Sequence, residues 1–268
     1  MNKCIYVVFL LILSCSKNIL TTDASSNNDD AFYQQALDYL NQKKYDEAIL
    51  VISTKISVQN QMTPSVRELL ASNYAGKCGL EFIPYIDKLS TANTGSALRV
   101  MMEPFINSVV DPSFCKQALA TIDLIGTTSN RTVNQNFFAS VVGMVLLGTS
   151  LRSYADINPI LGDGVADVDI CAAVTDQQID DMIIGFGYFN LNFSSVSSQT
   201  IGNYTNSMFG PIGATCAAVA GASCTITDPT QITPFLRLAF RDLVNTQEYR
   251  IGNFATGGNQ LLIPGSCP

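Results

Sequence analysis

The most apolar segment of the chain, residues 137–151 (FFASVVGMVLLGTSL), constrains the fold more than any other feature, because such a stretch has to be removed from water. It lies between Arg131 and Arg152, and its length of about 15 residues falls short of the ~20 that a membrane-spanning helix needs. A membrane helix is the alternative, since Ala139 and Gly143 have the four-residue spacing at which such helices pack. We expect the segment to form the buried central helix of a folded domain.

Helical signals recur along the rest of the chain. Thr63-Pro64 and Asp111-Pro112 each place Pro directly after a capping residue, and Thr175 opens a capping-box pattern. Together with the apolar periodicity, these signals predict helices over residues 31–41, 45–56, 64–78, 81–89, 94–107, 112–125, 130–151, 176–189, 198–208, 212–220 and 233–246. The sequence has no long alternating run bounded by hairpin turns. The predicted fold class is therefore all-α, a helical bundle or short solenoid whose C-terminal part is rich in loops and contains disulfides.

The first residues have the pattern of an export signal. Residues 1–14 contain a weakly basic start, an apolar run and a final small residue, and the run is about half as long as a membrane span. The four residues Ile12-Leu13-Ser14-Cys15 resemble the lipobox of bacterial lipoproteins. That resemblance implies that the signal is cut before Cys15 and that Cys15 carries diacylglycerol and a further acyl chain such as palmitate. Ordinary cleavage a few residues downstream, with loss of Cys15, is the alternative.

The segment after the proposed lipidation site is polar. Residues 15–30 show no helical or strand period and are expected to form a lipidated flexible tether, and residues 31–268 are expected to form a single α-helical domain. Ser16 follows Cys15, and the absence of Asp at that position is similar to the outer-membrane sorting rule of Gram-negative lipoproteins. The expected location is the outer membrane, through a lipid anchor, facing the periplasm or the cell surface.

The remaining cysteines fit an oxidising compartment. If Cys4 leaves with the signal and Cys15 carries lipid, six are left: Cys78, Cys115, Cys171, Cys216, Cys224 and Cys267. An even number of cysteines in an exported chain predicts up to three disulfides, although the sequence does not fix their pairing. Cys216 and Cys224 flank a loop of small residues, so a local bridge between them is our first expectation. A zinc site and buried free thiols are the alternatives.

The region 31–90 resembles a tetratricopeptide repeat, whose unit is a pair of helices of about 34 residues. The resembling residues are Ala36, Tyr39-Leu40, Tyr45-Asp46-Glu47-Ala48-Ile49 and Leu70-Ala71-Ser72-Asn73-Tyr74-Ala75. The resemblance implies helical hairpins that stack and present a concave binding surface. A plain antiparallel helical hairpin has the same periodicity and is the alternative.

Acidic residues provide the candidate chemistry. Asp163, Asp167 and Asp169 lie in a loop with Gly164, a pattern of oxygen ligands that suits Ca²⁺, although the loop lacks the Glu of a complete EF-hand. A solvated acidic turn that caps the next helix is the alternative. The adjacent Asp180-Asp181 point about 100° apart on a helix, so we expect two solvated side chains rather than a catalytic pair.

Composition excludes several classes of function. The chain has no His, which removes Ser-His-Asp triads, Cys-His dyads and His-ligated metal centres. Its net charge of −7 and its pI of about 4.5 argue against nucleic-acid binding through a basic surface. No cofactor-binding motif is predicted, and we expect that the protein is not an enzyme.

Two functions follow from these patterns. The first is a non-enzymatic envelope lipoprotein that acts as a helical protein-binding scaffold or as an accessory subunit of an envelope or transport complex. Similarity to the helical periplasmic lipoproteins that accompany solute transporters or outer-membrane assembly machines implies a protein partner in the cell envelope. The alternative is a periplasmic binding protein that takes a small hydrophobic ligand between its helices. An exposed apolar groove would favour the first function, and a continuous internal pocket would favour the second.

Overall fold

The computed structural model describes residues 28–91, 97–157, 162, 167–168, 170–196 and 224–245. In these ranges the protein is mostly helical, with eleven α-helices, two short 3₁₀ turns and no strand, which confirms the all-α prediction. The chain divides into two compact units, Met1–Met62 and Thr63–Pro268. That residues 31–268 fold as a single domain stays a prediction.

The first unit is a helical hairpin followed by a short helix. Helices α1 (Asp29–Asn41) and α2 (Tyr45–Lys55) pack against each other, and α3 (Val58–Gln61) follows. Asn28 caps α1 by accepting a hydrogen bond from the backbone N–H of Ala31 at 2.8 Å, so the helix begins two residues before the predicted start at residue 31. Asp29 and Asp30 lie in the first turn, where their charge interacts favourably with the helix dipole.

The second unit begins with four helices. They are α4 (Pro64–Cys78), α5 (Phe82–Thr91), α6 (Ala97–Met102) with a 3₁₀ turn over Glu103–Phe105, and α7 (Pro112–Asp123). Both predicted starts with Pro at the first helical position are present, at Pro64 and at Pro112, and Asp111 also accepts a hydrogen bond from the backbone N–H of Ser113. Helix α4 ends at Gly79, whose φ of 110° lies in the left-handed region that glycine adopts without steric cost.

The C-terminal helices include the two longest. They are α8 (Val133–Tyr154), α9 (Ile170–Ala173), α10 (Asp176–Val196) and, after a 3₁₀ turn over Pro229–Gln231, α11 (Pro234–Asn245). Thr175 with Gln178 forms the predicted capping box at the start of α10. A second capping box, of Thr132 and Gln135, starts α8. The helices expected over 198–208 and 212–220 lie outside the described residues.

Helix α8 is the central helix of the second unit. It is long and apolar enough to cross a membrane by length and composition, yet 78% of its most apolar window is buried inside the folded unit. Most of its apolar side chains belong to the main hydrophobic core, together with those of α7, α10 and α11. This burial agrees with the expected central helix.

Helices α8 and α10 cross at two glycines. A Cβ on Gly143 would lie 2.7 Å from both the carbonyl oxygen of Gly185 and the backbone nitrogen of Phe189, and a Cβ on Gly185 would lie 2.8 Å from the carbonyl oxygen of Gly143. Ser140 on α8 donates a hydrogen bond to the carbonyl oxygen of Phe189 at 3.3 Å. The close approach of the two backbones therefore depends on the absence of side chains at this crossing.

Candidate functional site

A disulfide joins two of the predicted cysteines. Cys78 at the end of α4 and Cys115 on α7 are bonded, with their Cα atoms 5.2 Å apart, and both are fully buried. The Sγ atom of Cys78 lies 3.6 Å from the hydroxyl oxygen of Thr149 on α8. The bond holds together two helices that also pack along their lengths, so its role here is structural.

The other predicted cysteines are only partly described. Cys171 and Cys224 are themselves disulfide-bonded. Cys15, Cys216 and Cys267 lie outside the described residues. Lipidation of Cys15 and a local bridge between Cys216 and Cys224 therefore stay predictions.

The proposed calcium loop is described at one of its three aspartates. Asp167 is exposed, and its backbone N–H donates a hydrogen bond to the carbonyl oxygen of Ala155 at 2.8 Å, whereas Asp163 and Asp169 lie outside the described residues. Across the part of the chain that the structure covers, no three His, Cys, Asp or Glu side chains are grouped closely enough to hold a metal ion. The calcium site stays a prediction.

A buried ion pair lies beside that loop. The carboxylate of Asp156 is fully buried, 4.0 Å from the Nε atom of Arg152 one turn earlier, and Arg152 also donates a hydrogen bond to the backbone carbonyl oxygen of Asp156. Gly162, with a φ of 61°, lies against this pair, and a Cβ at that position would collide with the Arg152 guanidinium and the Asp156 carboxylate. The glycine therefore allows the loop backbone to cover a buried charge pair.

The expectation that Asp180 and Asp181 are solvated is wrong, because both are buried. Asp180 accepts two hydrogen bonds from Arg237 on α11, from Nε at 2.7 Å and from Nη2 at 2.9 Å. Asp181 accepts from Lys116 on α7 at 2.8 Å and from the Tyr154 hydroxyl at 3.1 Å. The two carboxylates do point in different directions, as their adjacent positions predict, and each meets a cation from a distant part of the chain.

The environment of Tyr154 explains its protonation. Burial, followed by the negative charge of Asp181 and the hydrogen bond to it, raises the pKa of Tyr154 well above its usual value of 10.0. The hydroxyl therefore remains protonated and acts as a hydrogen-bond donor. This arrangement stabilises the end of α8 against α10 rather than preparing a proton acceptor.

Arg241 on α11 extends the network to α9. Its Nη1 atom donates to the carbonyl oxygens of Ile170 and Val174, each at 2.6 Å, and its Nη2 atom donates to Asp176 at 2.9 Å. Ile170 is the first residue of α9 and Val174 follows its last, so one buried guanidinium satisfies a carbonyl oxygen at each end of this short helix. Arg241 therefore joins α9, the start of α10 and α11.

A second polar network surrounds Arg131, in the connection before α8. Its guanidinium donates to Asp123 at 2.9 Å, to Asn136 at 3.0 Å and to Asn192 at 2.7 Å. The Tyr188 hydroxyl donates to the other oxygen of Asp123, and burial with this hydrogen bond raises the pKa of Tyr188 above its usual value. The network links α7, α8 and α10 through side-chain hydrogen bonds.

These clusters share one chemical character. In both networks the carboxylates of Asp123, Asp176, Asp180 and Asp181 accept hydrogen bonds from Arg, Lys or Tyr donors outside their own helix. Such pairs fix the mutual orientation of helices, whereas a hydrolytic pair needs two carboxylates that face the same substrate. The polar clusters therefore position helices. The sequence did not reveal them, because the cations that pair with Asp180 and Asp181 are 57 and 65 residues away along the chain.

The exposed apolar side chains suggest another kind of site. Phe82 and Ile83 at the start of α5 are 40% and 79% exposed, and the ring of Phe82 packs edge-on against Phe137 of α8 at a centroid distance of 6.0 Å. Val133, also exposed, lies one turn before Phe137 on the same side of α8. We refer to Phe82, Ile83, Val133 and Phe137 as the Phe82 patch.

Comparisons with known proteins add no identification. No family model, curated protein or solved structure matches this chain.

Proposed function

We propose that this protein is a non-enzymatic, lipid-anchored protein of the bacterial envelope, which binds a protein partner as a helical scaffold or accessory subunit. In this proposal the export signal of residues 1–14 is removed and Cys15 carries the lipid. The helical body then lies at the outer membrane, and the helical pairs of residues 31–90 stack in the manner of tetratricopeptide repeats. The loop-rich C-terminal part is held by disulfides.

The observation that carries the proposed binding role is the Phe82 patch. Phe and Ile side chains have a large apolar surface that a bound partner can bury. A cluster of such side chains on the surface of a protein marks an interaction site. Ile83 is 79% exposed, although the transfer of an apolar side chain out of water lowers the free energy. A protein partner that covers the patch would supply that burial.

The buried disulfide between Cys78 and Cys115 supports the proposed location. Structural disulfides form and persist in exported proteins, whereas cytosolic thiols are kept reduced. The disulfide state of Cys171 and Cys224 supports the same assignment. These bonds support export in general, and the lipid anchor in particular rests on the lipobox resemblance at Cys15.

The binding role can be tested by capture of partners from detergent-solubilised envelope membranes. We expect the full-length protein to retain a partner that the Ile83→Glu variant loses, because a buried, unpaired carboxylate is strongly unfavourable in an apolar interface. Phe235→Glu is the matched control, since Phe235 on α11 is an exposed apolar side chain outside the Phe82 patch. Equal capture by both variants would remove the patch as the binding surface.

A further inference from the structure

Asp29 fixes the place where the N-terminal segment enters the first unit. One carboxylate oxygen of Asp29 accepts a hydrogen bond from the backbone N–H of Ser57 at 2.9 Å, and the other accepts from the Ser57 hydroxyl and the Asn60 side-chain amide. The start of α1 is therefore held against the segment that forms α3. Asn28, the first residue that the structure describes, caps α1 beside this turn.

Two apolar side chains are exposed at the same turn. Val58 is 69% exposed and Met62 is 60% exposed, and their four-residue spacing places them on one side of the α3 segment. Val58 follows Ser57 directly, so it lies next to the residue that binds Asp29. The entry point of the N-terminal segment and an exposed apolar pair therefore share one end of the hairpin.

The number of residues between Cys15 and Asn28 limits the distance between the start of α1 and a lipid anchor at Cys15. Twelve residues lie between Cys15 and Asn28, and a fully extended chain over those thirteen residue steps spans at most about 45 Å. The other end of α1 is farther away, because Gln42 lies about 20 Å along the helix axis from Asp29. Among the described residues of this unit, those around Asp29 are the nearest along the chain to the anchor.

We propose that Val58 and Met62 insert into the surface of the lipid bilayer that holds Cys15. The inference rests on the proposed lipid anchor and adds a second contact with the membrane, made by protein side chains. Acyl chains on Cys15 keep this end of the hairpin close to the bilayer, which raises the effective concentration of lipid around the two side chains. Their apolar surface, with Asp29 held in hydrogen bonds beside it, fits the interfacial region of a membrane.

The absence of tryptophan from the chain provides a clean measurement. In the full-length, lipidated Val58→Trp variant, the single indole reports on the environment of this position. We would reconstitute it in vesicles of phosphatidylethanolamine and phosphatidylglycerol and measure the emission wavelength and the quenching by brominated lipids. Gln42→Trp, at the other end of α1, is the matched control because Gln42 is also exposed.

The expected result is a blue-shifted emission for Val58→Trp and quenching by brominated lipid about twofold or more stronger than for Gln42→Trp. Equal emission and quenching in the two lipidated variants would overturn the inference and leave the anchor in place. Mass spectrometry of the same samples separates the two ideas, because a mature chain without lipid mass overturns both. A Cys15→Ser, Val58→Trp chain whose emission shifts with concentration, without vesicles, would instead show that a second copy covers Val58, and this result also overturns the inference.

Discussion

At the scale of single residues, Asp29 does more than start a helix. Its side chain accepts three hydrogen bonds from Ser57 and Asn60, which are about 30 residues further along the chain. These bonds stabilise the charged form of the carboxyl, so the pKa of Asp29 is lowered below its usual value of 3.8, with the Ser57 hydroxyl as the largest cause. Asp29, in the first turn of α1, therefore also closes the hairpin.

This lowered pKa gives a pH prediction with a definite sign. Because the folded pKa is below the unfolded one, the stabilisation is present above about pH 3.8 and is lost as the pH falls through the folded pKa. We expect Ser57→Ala to raise the pKa of Asp29 towards 3.8, as measured by an NMR titration of its carboxyl carbon. Asp228, whose pKa is lowered by Thr230, is the internal control and should not change. An unchanged Asp29 pKa in the variant would contradict this account.

The orientation of Asp180 and Asp181 could be predicted from the sequence, but their burial could not. Adjacent positions correctly predicted that Asp180 and Asp181 point apart, since that follows from helix geometry alone. Their burial could not be predicted, because the partners Arg237 and Lys116 lie 57 and 65 residues away and come close only in the folded chain. Charged side chains are expected on the surface unless a partner of opposite charge is buried with them.

At the scale of elements, the glycine crossing of α8 and α10 determines how closely the two longest helices approach. In Gly143→Ala the new methyl group would meet the carbonyl oxygen of Gly185, the nitrogen of Phe189 and the Cβ of Tyr188, all within 3 Å. Overpacking of this kind costs about 1–3 kcal/mol, and the better helix propensity of Ala returns up to about 1 kcal/mol.

We therefore expect Gly143→Ala to lower the free energy of unfolding by about 1–2 kcal/mol in urea titrations. Asn134→Ala, at an exposed position of the same helix, should change it by less than about 0.5 kcal/mol. Equal stability of the two variants would mean that the helices separate to accommodate the methyl group at no cost.

The first hairpin offers a second test of packing between elements. Ala48 on α2 is fully buried, whereas Gln34 on α1 is exposed. Replacing Ala48 by Leu adds volume where α1 and α2 pack, and we expect a loss of about 1–3 kcal/mol. Gln34→Leu should shift stability by less than about 0.5 kcal/mol. Thermal melts of both variants would decide the matter, and equal melting temperatures would show a loosely packed hairpin.

The helices themselves were predictable to a large extent, because their signals are local. Pro64, Pro112 and the Thr175 capping box marked true helix starts, and the apolar run of residues 137–151 marked the central helix. Predicted ends were less accurate: α10 continues to Val196 instead of 189. The pairing of Cys78 with Cys115, and the contact of Gly143 with Gly185, depend on which helices become neighbours and are not encoded locally.

At the scale of the whole molecule, attachment to a membrane through a lipid on Cys15 and attachment through α8 predict different behaviour in detergent. If α8 spanned a bilayer, a chain without the proposed lipid would still need detergent, whereas a core helix that is largely buried would not. We expect the full-length protein to partition into the detergent phase of Triton X-114 and the Cys15→Ser variant to move to the aqueous phase. A variant that stays in the detergent phase would show a membrane attachment other than the lipid and would contradict the assignment of α8 as a core helix.

The disulfide between Cys78 and Cys115 has a consequence for biogenesis. The two are consecutive cysteines after Cys15, so in a chain that is translocated with its N-terminus first they reach the oxidising side before Cys171, Cys216, Cys224 and Cys267. At that stage each is the nearest available thiol for the other within the body that follows the signal. If the protein is exported as proposed, vectorial translocation would therefore favour the Cys78–Cys115 pair over its competitors. The second unit would then close its first covalent loop before its longest helix has left the translocation channel.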